Sequence, residues 1–445
     1  MWALSQVLAV RPGVLNSLVV CAALPLAGCA ARSAHDRGYV SRGIETRTGY
    51  ALGTPGAALP PEVALDDGLT EDEAVAVALW SNAAFQADLA ALGVARADLA
   101  EAGLLRNPVL SLLFPIGPKQ LEFTLTWPVE AIWQRPRRVN FAKLEVERVA
   151  ERLVQNGLNL ARDVRVAHAD ALLAERRARL LEENAALRME IAGIADARLR
   201  AGDISELEAS EARLDAARAG DAAARAARDR AVARDRLRAT MGMITDATDF
   251  ELTPSSNAAS TSGEEADLLR AAYAARPDLR AAELAMESAA QRARWERSRI
   301  AQLSALLDFN QKGSQGAEAG PGVAAELPVL NWNQGGRGRA DAEVERAARQ
   351  YTAVRQRITL EVKESLQRYE EARESSARWQ KDILPRLAEA AAITEKALAA
   401  GDVSYLAVLA SRRALADAQL QAAEAEAALR RARAESERSV GRRGP

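Results

Sequence analysis

Leu199-Arg200-Ala201-Gly202-Asp203-Ile204-Ser205-Glu206-Leu207 and Leu398-Ala399-Ala400-Gly401-Asp402-Val403-Ser404-Tyr405-Leu406 are nearly the same phrase, written twice at an offset of 199 residues. A second pair of anchors repeats at almost the same spacing. Pro128, Val129, Gln134 and Arg137 return as Pro328, Val329, Gln334 and Arg337, an offset of 200. Two separate anchors at nearly one offset make the chain a two-fold duplication, with a period far longer than any solenoid repeat. Each phrase also has a local reading. Gly202 and Gly401 suit a left-handed residue that ends a helix. Asp203 or Ser205, and Asp402 or Ser404, suit the N-cap of a helix that returns. Each phrase is therefore the tip of an antiparallel helical hairpin.

Working outward from the first tip, residues 137–200 contain no proline and only two glycines. Val166, Leu173, Leu180, Leu187 and Ile194 recur every seven residues, which predicts a narrow coiled-coil seam. About 64 helical residues would span about 95 Å. The returning helix is expected from about Ser205 to Met241. In the second half a long helix is expected from about Gly338, kinked at Pro385, with a last helix from the second tip to about Glu437.

Each hairpin is preceded by a helix and a pair of strands. Thr70 and Glu73 form a capping-box pattern that starts a helix running to about Arg106, where Asn107-Pro108 stops it. Val109–Phe114 and Gln120–Trp127 read as strands. Leu121, Phe123, Leu125 and Trp127 alternate with Glu122, Thr124 and Thr126, a period of two. In the second half a helix is expected from Glu265 to about Ile300, interrupted at Arg276-Pro277. Leu303–Asn310 then alternates in the same way. Gly313–Gly322 is expected to turn, and Val323–Val329 to form the fourth strand, with Glu326 on its polar side.

Composition excludes several function classes. The chain has 445 residues and a formal net charge of -2, without the basic excess of a nucleic-acid binder. The only cysteines are Cys21 and Cys29, and the only histidines His35 and His168. No zinc, copper or iron site is expected, no cofactor, and no nucleophile–base pair. His168, among Ala167, Ala169 and Asp170, is expected to be a satisfied or exposed side chain. Gly335-Gly336-Arg337-Gly338 lacks the lysine of a P-loop and is expected to form a turn at a membrane interface. Trp127, Trp133 and Trp332 lie where interfacial aromatics would sit.

The N-terminus carries an address. Val14–Leu26 is apolar but too short to cross a bilayer as a helix. It leads into Leu26-Ala27-Gly28-Cys29, which resembles the lipobox of bacterial lipoproteins. That resemblance implies a signal peptide over 1–28, with Cys29 acylated as the first mature residue. Ala30 in place of an aspartate favours the outer membrane. Residues 29–66 are expected to be an extended tether. A first repeat follows over 67–245, a linker over 246–264, a second repeat over 265–438 and a disordered tail over 439–445.

Four strands with one apolar face cannot close a barrel, and open sheet edges are not tolerated in lipid. Three chains pooling four strands each would give twelve, within the range of outer-membrane barrels. The apolar alternation at Leu121, Phe123, Leu125 and Val323 would then face lipid. Glu122, Thr124, Thr126 and Glu326 would face the lumen.

The ordered set of motifs is Asn107-Pro108-Val109-Leu110-Ser111, Pro328-Val329-Leu330 ahead of Gly335-Gly336-Arg337-Gly338, and Ala-Gly-Asp-[Ile/Val]-Ser-x-Leu at both tips. Together they resemble the TolC-type outer-membrane efflux factor family over roughly residues 65–438. The compact first strand pair and Gln134-Arg135-Pro136-Arg137-Arg138 are most similar to members serving heavy-metal or cation efflux. The resemblance implies a mostly α fold with a small β part, built as a trimeric 12-stranded barrel on an α-helical tunnel. It implies a homotrimer in outer-membrane lipid that docks on a periplasmic adaptor (membrane fusion) protein and an inner-membrane pump of the RND type, with no reaction of its own. Gly202, Asp203, Ser205, Glu206, Gly401, Asp402, Ser404 and Tyr405 would be the tunnel tips, where the adaptor touches and the tunnel closes. Glu206 and Tyr405, where the halves differ, are candidates for partner contact. The rival readings are a periplasmic adaptor, a scaffolding coiled-coil envelope lipoprotein, and a TolC-type channel for drug efflux or type I protein secretion. Adaptors have a single hairpin, and a scaffold has no need of alternating strands.

Overall fold

The computed structural model describes residues 31–53, 60, 63, 68–114, 116, 121–243, 250–254, 263–299, 302–311 and 316–442. Cys29 and the leader lie outside this set. The elements are α1 (Arg37–Thr48), α2 (Glu71–Ser81), α3 (Ala83–Gly103), β1 (Val109–Leu113), β2 (Leu121–Pro128), α4 (Glu130–Ala201) and α5 (Glu206–Met241) in the first half. The second half has α6 (Glu265–Ala275), α7 (Pro277–Ser298), β3 (Leu303–Gln311), β4 (Ala317–Ala325), α8 (Gln334–Arg378), α9 (Leu384–Ala400) and α10 (Tyr405–Val440). The chain divides into two compact units. One holds residues 93–146 and 284–347, and the other 35–92, 147–283 and 348–445. Among the described residues no single helix is long and apolar enough to cross a membrane.

The first unit contains one four-stranded antiparallel sheet in the order β1-β2-β3-β4. The two halves of the duplication meet at its centre, where β2 pairs with β3. The fourth strand departs from its expected span. Residues 317–322 are strand rather than turn, and β4 ends at Ala325. The turn-like composition is tolerated because β4 is an edge strand. There Pro321 can do without its N–H, and Gly320 and Gly322 pair opposite Asp308 and Leu306. Past the sheet, Asn333 takes a left-handed φ of 63°, and its amide bonds the Glu296 carbonyl and carboxylate at 2.9 and 2.8 Å. A Cβ on Gly336 would lie 2.2 Å from Asn333 Oδ1. The glycine-rich stretch therefore opens helix α8, rather than forming a free turn, with Gly336 making room for that bond.

The second unit is helical. Helix α4 runs unbroken for 72 residues from residue 130 on, and Pro136 inside it leaves out one intrahelical bond. The heptad seam is only partly its core. Leu180 is buried, whereas Val166, Leu173, Leu187 and Ile194 are half-buried. Ala161, Ala169, Ala171, Ala178 and Ala192 fill the closest approaches instead, because α4 has neighbours on more than one side and alanine lets backbones come near. The helix expected over 70–106 is two, joined at Asn82 with a bend of 48°. Asn82 leaves the helical region and caps the second helix through Phe85 N, while its amide donates to the Thr240 carbonyl. Pro385 does not break its helix. Trp379–Ile383 widens into a π turn in which Leu384 N donates to the Trp379 carbonyl, so the hydrogen bond that proline cannot make is not required.

Two expected irregular segments are ordered. Within the supposed tether, α1 is capped by Asp36 at one end and Gly49 at the other, and buries Val40 and Ile44 completely. Arg47 ties it to the Ala275 carbonyl at 3.0 Å. Within the supposed tail, Ser439 and Val440 are buried, and Gly441 ends α10 with a φ of 78°. Val440 closes an apolar cluster with Leu268, Ala272, Leu279, Ile358, Val362 and Leu366.

His168 is fully buried, and its Nε2 lies 3.0 Å from the Leu69 carbonyl. That carbonyl also accepts from Thr253 N in a parallel bridge, so the histidine ties Leu69 to α4, and the segment between the repeats is held through Leu69. Burial pushes its pKa below the usual histidine value, and the Leu69 bond opposes this only in part. The folded protein therefore holds His168 neutral, while the unfolded chain takes up a proton more readily. The resulting stabilisation is complete above the unfolded pKa of about 6.5 and is lost as pH falls below it. The melting temperature is expected to drop between pH 7.5 and 5.5. His168→Gln should flatten that dependence, as measured by circular dichroism at each pH.

Candidate functional site: two hairpin tips and a two-faced sheet

The two tips are built alike. At the first, Gly202 has a φ of 80°, Gly202 N donates to Leu199 O at 3.0 Å, and Asp203 N donates to Arg198 O at 2.9 Å. At the second, Gly401 has a φ of 84°, with the same pair of bonds to Leu398 and Ala397 at 3.0 and 2.9 Å. This double bond pattern is the Schellman motif, which a Cβ at the left-handed position would strain.

The open choice of N-cap resolves to serine in both cases. Ser205 accepts from Glu208 N, and Glu208 reaches back to Ser205 N at 2.8 Å to complete a capping box. That bond to the Ser205 backbone, then the one to its hydroxyl, holds the Glu208 carboxyl below its usual range. Ser404 accepts from Ala407 N. With the caps supplied by serine, the carboxylates of Asp203 and Asp402 are exposed at the turns. Glu206 is exposed as well, and Leu207 and Leu406 beside the tips are 68% and 47% exposed, far more than a leucine that only serves a core.

Tyr405 also has a partner within the chain. Its hydroxyl donates to Glu190 Oε1 on α4 at 2.5 Å, and that bond is the main cause raising its pKa. The second hairpin is thereby fastened to the first near the tip. Glu190 is a tip residue that the sequence did not single out.

The sheet places Glu122, Thr124 and Thr126 on one face. Register puts Asn310, Asp308 and Leu306 opposite them on β3, and Ser111 opposite Thr124 on β1. Thr124 donates to Asp308 at 2.8 Å, and Asn310 donates to Asp308 at 2.7 Å. Asp308 and Asn310 thus belong with the polar set, and the same period of two marks them in the sequence. Glu326 does not join them. It lies one residue beyond β4, with its backbone N–H donating to Gln302 O, because β4 pairs earlier than its hydrophobic pattern suggests.

The other face is apolar. Phe123 stacks on Phe309 with centroids 4.8 Å apart, and Leu125 has Leu110 and Leu307 as its cross-strand neighbours. On this face Leu110, Leu112, Phe114, Leu307 and Val323 are 44–75% exposed, whereas Val109 and Leu113 pair with Thr126 and Glu122 and lie on the opposite one. An apolar patch of this extent marks a contact with lipid or protein. Trp133 and Trp332, just past the sheet, are half exposed, and Arg337 lies over the Trp332 ring. Trp127 is part of β2, and its ring N–H donates to Arg106 O at 3.0 Å. Among the described residues no group of three or more His, Cys, Asp or Glu is placed to hold a metal ion.

The family model for outer membrane efflux proteins matches residues 116–243 and 268–442. Among solved structures, the outer-membrane channel OprN superposes with a TM-score of 0.70 at 19% identity, covering 84% of this chain and 90% of that one. CusC, described through its folding and transmembrane channel formation, gives 0.66 at 16%, covering 87% and 97%. The open state of the Neisseria gonorrhoeae outer-membrane channel MtrE gives 0.67 at 15%, covering 88% and 97%. No curated protein matches the sequence.

Proposed function

The chain belongs to the outer membrane efflux protein family, and we propose from this premise that it is the outer-membrane conduit of a tripartite efflux system, working as a homotrimer. One observation carries the reading: a four-stranded sheet with a polar face, an exposed apolar face and two open edges, β1 and β4. Three copies joined edge to edge give twelve strands and no edges, the form in which such strands are stable in lipid. Glu122, Thr124, Thr126 and Asp308 then line the lumen, and the apolar face meets the bilayer. The duplication supplies each protomer with two hairpins, so three protomers supply six to a helical tunnel. The detergent-solubilised protein is expected to have the mass of three chains by light scattering corrected for bound detergent. A monomer at micromolar concentration would contradict the proposal.

A conduit of this kind has no energy source of its own, so a periplasmic adaptor protein and an inner-membrane pump of the RND type are its partners in this reading. The tips, with exposed Leu207, Leu406 and Glu206, are the adaptor contact. Cys29 is the acylated residue, and Cys29→Ser should abolish incorporation of labelled palmitate while leaving the strands to hold the trimer in the membrane. The bond from Tyr405 to Glu190 keeps the tip closed, and MtrE shows that a channel of this fold also exists open.

The uncapped carboxylates of Asp203 and Asp402 form an acidic ring at the tip of a trimer, which favours cations. This fits export of heavy-metal cations better than export of anionic drugs or peptides. Asp402→Ala combined with Asp203→Ala is expected to lower the cation-to-anion permeability ratio severalfold in reversal-potential measurements. An unchanged ratio would remove the acidic tip as a selectivity element.

A further inference from the structure

All four strands hand over to loops or helices at one rim of the sheet, and a cavity of about 190 Å³ lies there. Arg106 precedes β1, Glu130 follows β2, Gln302 precedes β3 and Glu326 follows β4, and all four line it. Three of its lining side chains carry buried polar atoms with no hydrogen-bond partner: Glu130 Oε2, Arg138 Nε and Trp295 Nε1. Glu130 as a residue is only 6% exposed. Buried polar atoms are nearly always paired, so three converging on one cavity ask for a common explanation.

The chemistry is two-signed. Arg138 Nε–H and Trp295 Nε1–H are donors, and Arg106 and Arg299 also line the cavity, the Arg299 guanidinium lying 4.8 Å from the centre of the Trp295 ring. Burial, then the neighbouring charges of Arg106 and Arg135, push the Arg138 pKa down. Glu130 Oε2 and Glu326 are acceptors. An oxyanion suits the donors and a primary ammonium suits the carboxylates. The volume is below that of drug-sized pockets, which start at about 300 Å³. Around the rim Ile132, Trp133, Leu327, Val329, Leu330 and Trp332 are 49–90% exposed, an apolar and aromatic belt of the kind found where a bilayer meets water.

We propose that this cavity binds the headgroup of an ethanolamine phospholipid, with the phosphate held by Arg138, Trp295 and the flanking arginines, and the ammonium by Glu130. The inference rests on the reading that the sheet spans a membrane, which puts this rim at the leaflet next to the helices.

The test uses the full-length protein, delipidated in detergent and examined by native mass spectrometry with added phosphatidylethanolamine, phosphatidylglycerol or phosphatidylcholine. Wild type is expected to retain phosphatidylethanolamine at least about tenfold better than the other two, the worth of one charge-assisted hydrogen bond. Glu130→Gln should erase the preference over phosphatidylglycerol while melting and conducting like wild type. Arg138→Gln should weaken all three lipids. Equal retention of the three lipids by wild type would overturn the site, as would soluble O-phosphoethanolamine binding as tightly as the lipid. A protein that conducts without lipid preference counts against this site alone. One that shows the preference but never conducts counts against the channel reading alone.

Discussion

Leu125→Arg is expected to leave the helical hairpins folded and to prevent the protein from entering a bilayer. Leu125 is the fifth of eight residues in β2, with Leu110 and Leu307 beside it on the apolar face. An arginine on the lipid face near mid-membrane costs roughly 2–4 kcal/mol per site. Three copies in a trimer bring this to roughly 6–12 kcal/mol, while the hairpins lose nothing. The control is one residue away. Thr124→Arg places the same charge beside Asp308 on the polar face, and it should insert normally and shift ion preference toward anions. Far-ultraviolet circular dichroism and flotation with liposomes separate the outcomes. Equal flotation of the two variants would show that the sheet does not present one face to lipid.

Arg276→Ala should be the most damaging substitution in the helical unit. The Arg276 side chain is 1% exposed and lies between α6 and α7 in an extended conformation, with Pro277 next. Its guanidinium donates to Asp278 at 2.6 and 2.9 Å, to Glu361 at 2.5 Å and to the Ser439 carbonyl at 3.2 Å. It therefore fastens the start of the second repeat to the end of the last helix, where Gly441 packs against it. Burial pushes the Asp278 carboxyl upward, but Arg276 and Arg357 outweigh it and hold the group below its usual range. Removing the arginine leaves the half-buried Asp278 carboxylate with one partner fewer, a loss of at most about 3 kcal/mol, the low end of the range for breaking a buried pair. Adding Asp278→Asn to the same chain should recover part of that loss, because the stranded charge goes with it. Denaturant unfolding followed by circular dichroism measures both. If the double variant is no more stable than the single one, the cost lies in packing and not in the stranded charge.

The parts of the fold that were legible in the sequence are those decided locally. A glycine that must be left-handed and a serine that must cap mark each tip within nine residues, and a period of two marks β2 and β3. What escaped was decided by partners far along the chain. Helix α1 has only Val40, Ile44 and Thr48 on its buried face, and its cover comes from α4, where Ile44 packs at Gly157. The span of β4 is set by its pairing with β3, so Gly320 and Gly322 lie in a strand that their own propensity disfavours. Serine and aspartate both suited the caps, and only geometry separates them. Tyr405 reaches Glu190 across 215 positions, and the cavity at Glu130 and Trp295 is assembled from the ends of four strands. In each case the deciding neighbour is distant in sequence and carries no periodic signature.

In the proposed assembly, three copies of a sheet with one oily face close into a wall around a pore. The direct measurement is single-channel recording of the purified full-length protein in a planar lipid bilayer. Discrete conductance steps from trimers are expected, with cation preference, and larger or more frequent openings when Tyr405→Phe removes the bond to Glu190. A protein that inserts no conductance under any applied voltage, alone or as Tyr405→Phe, would contradict it.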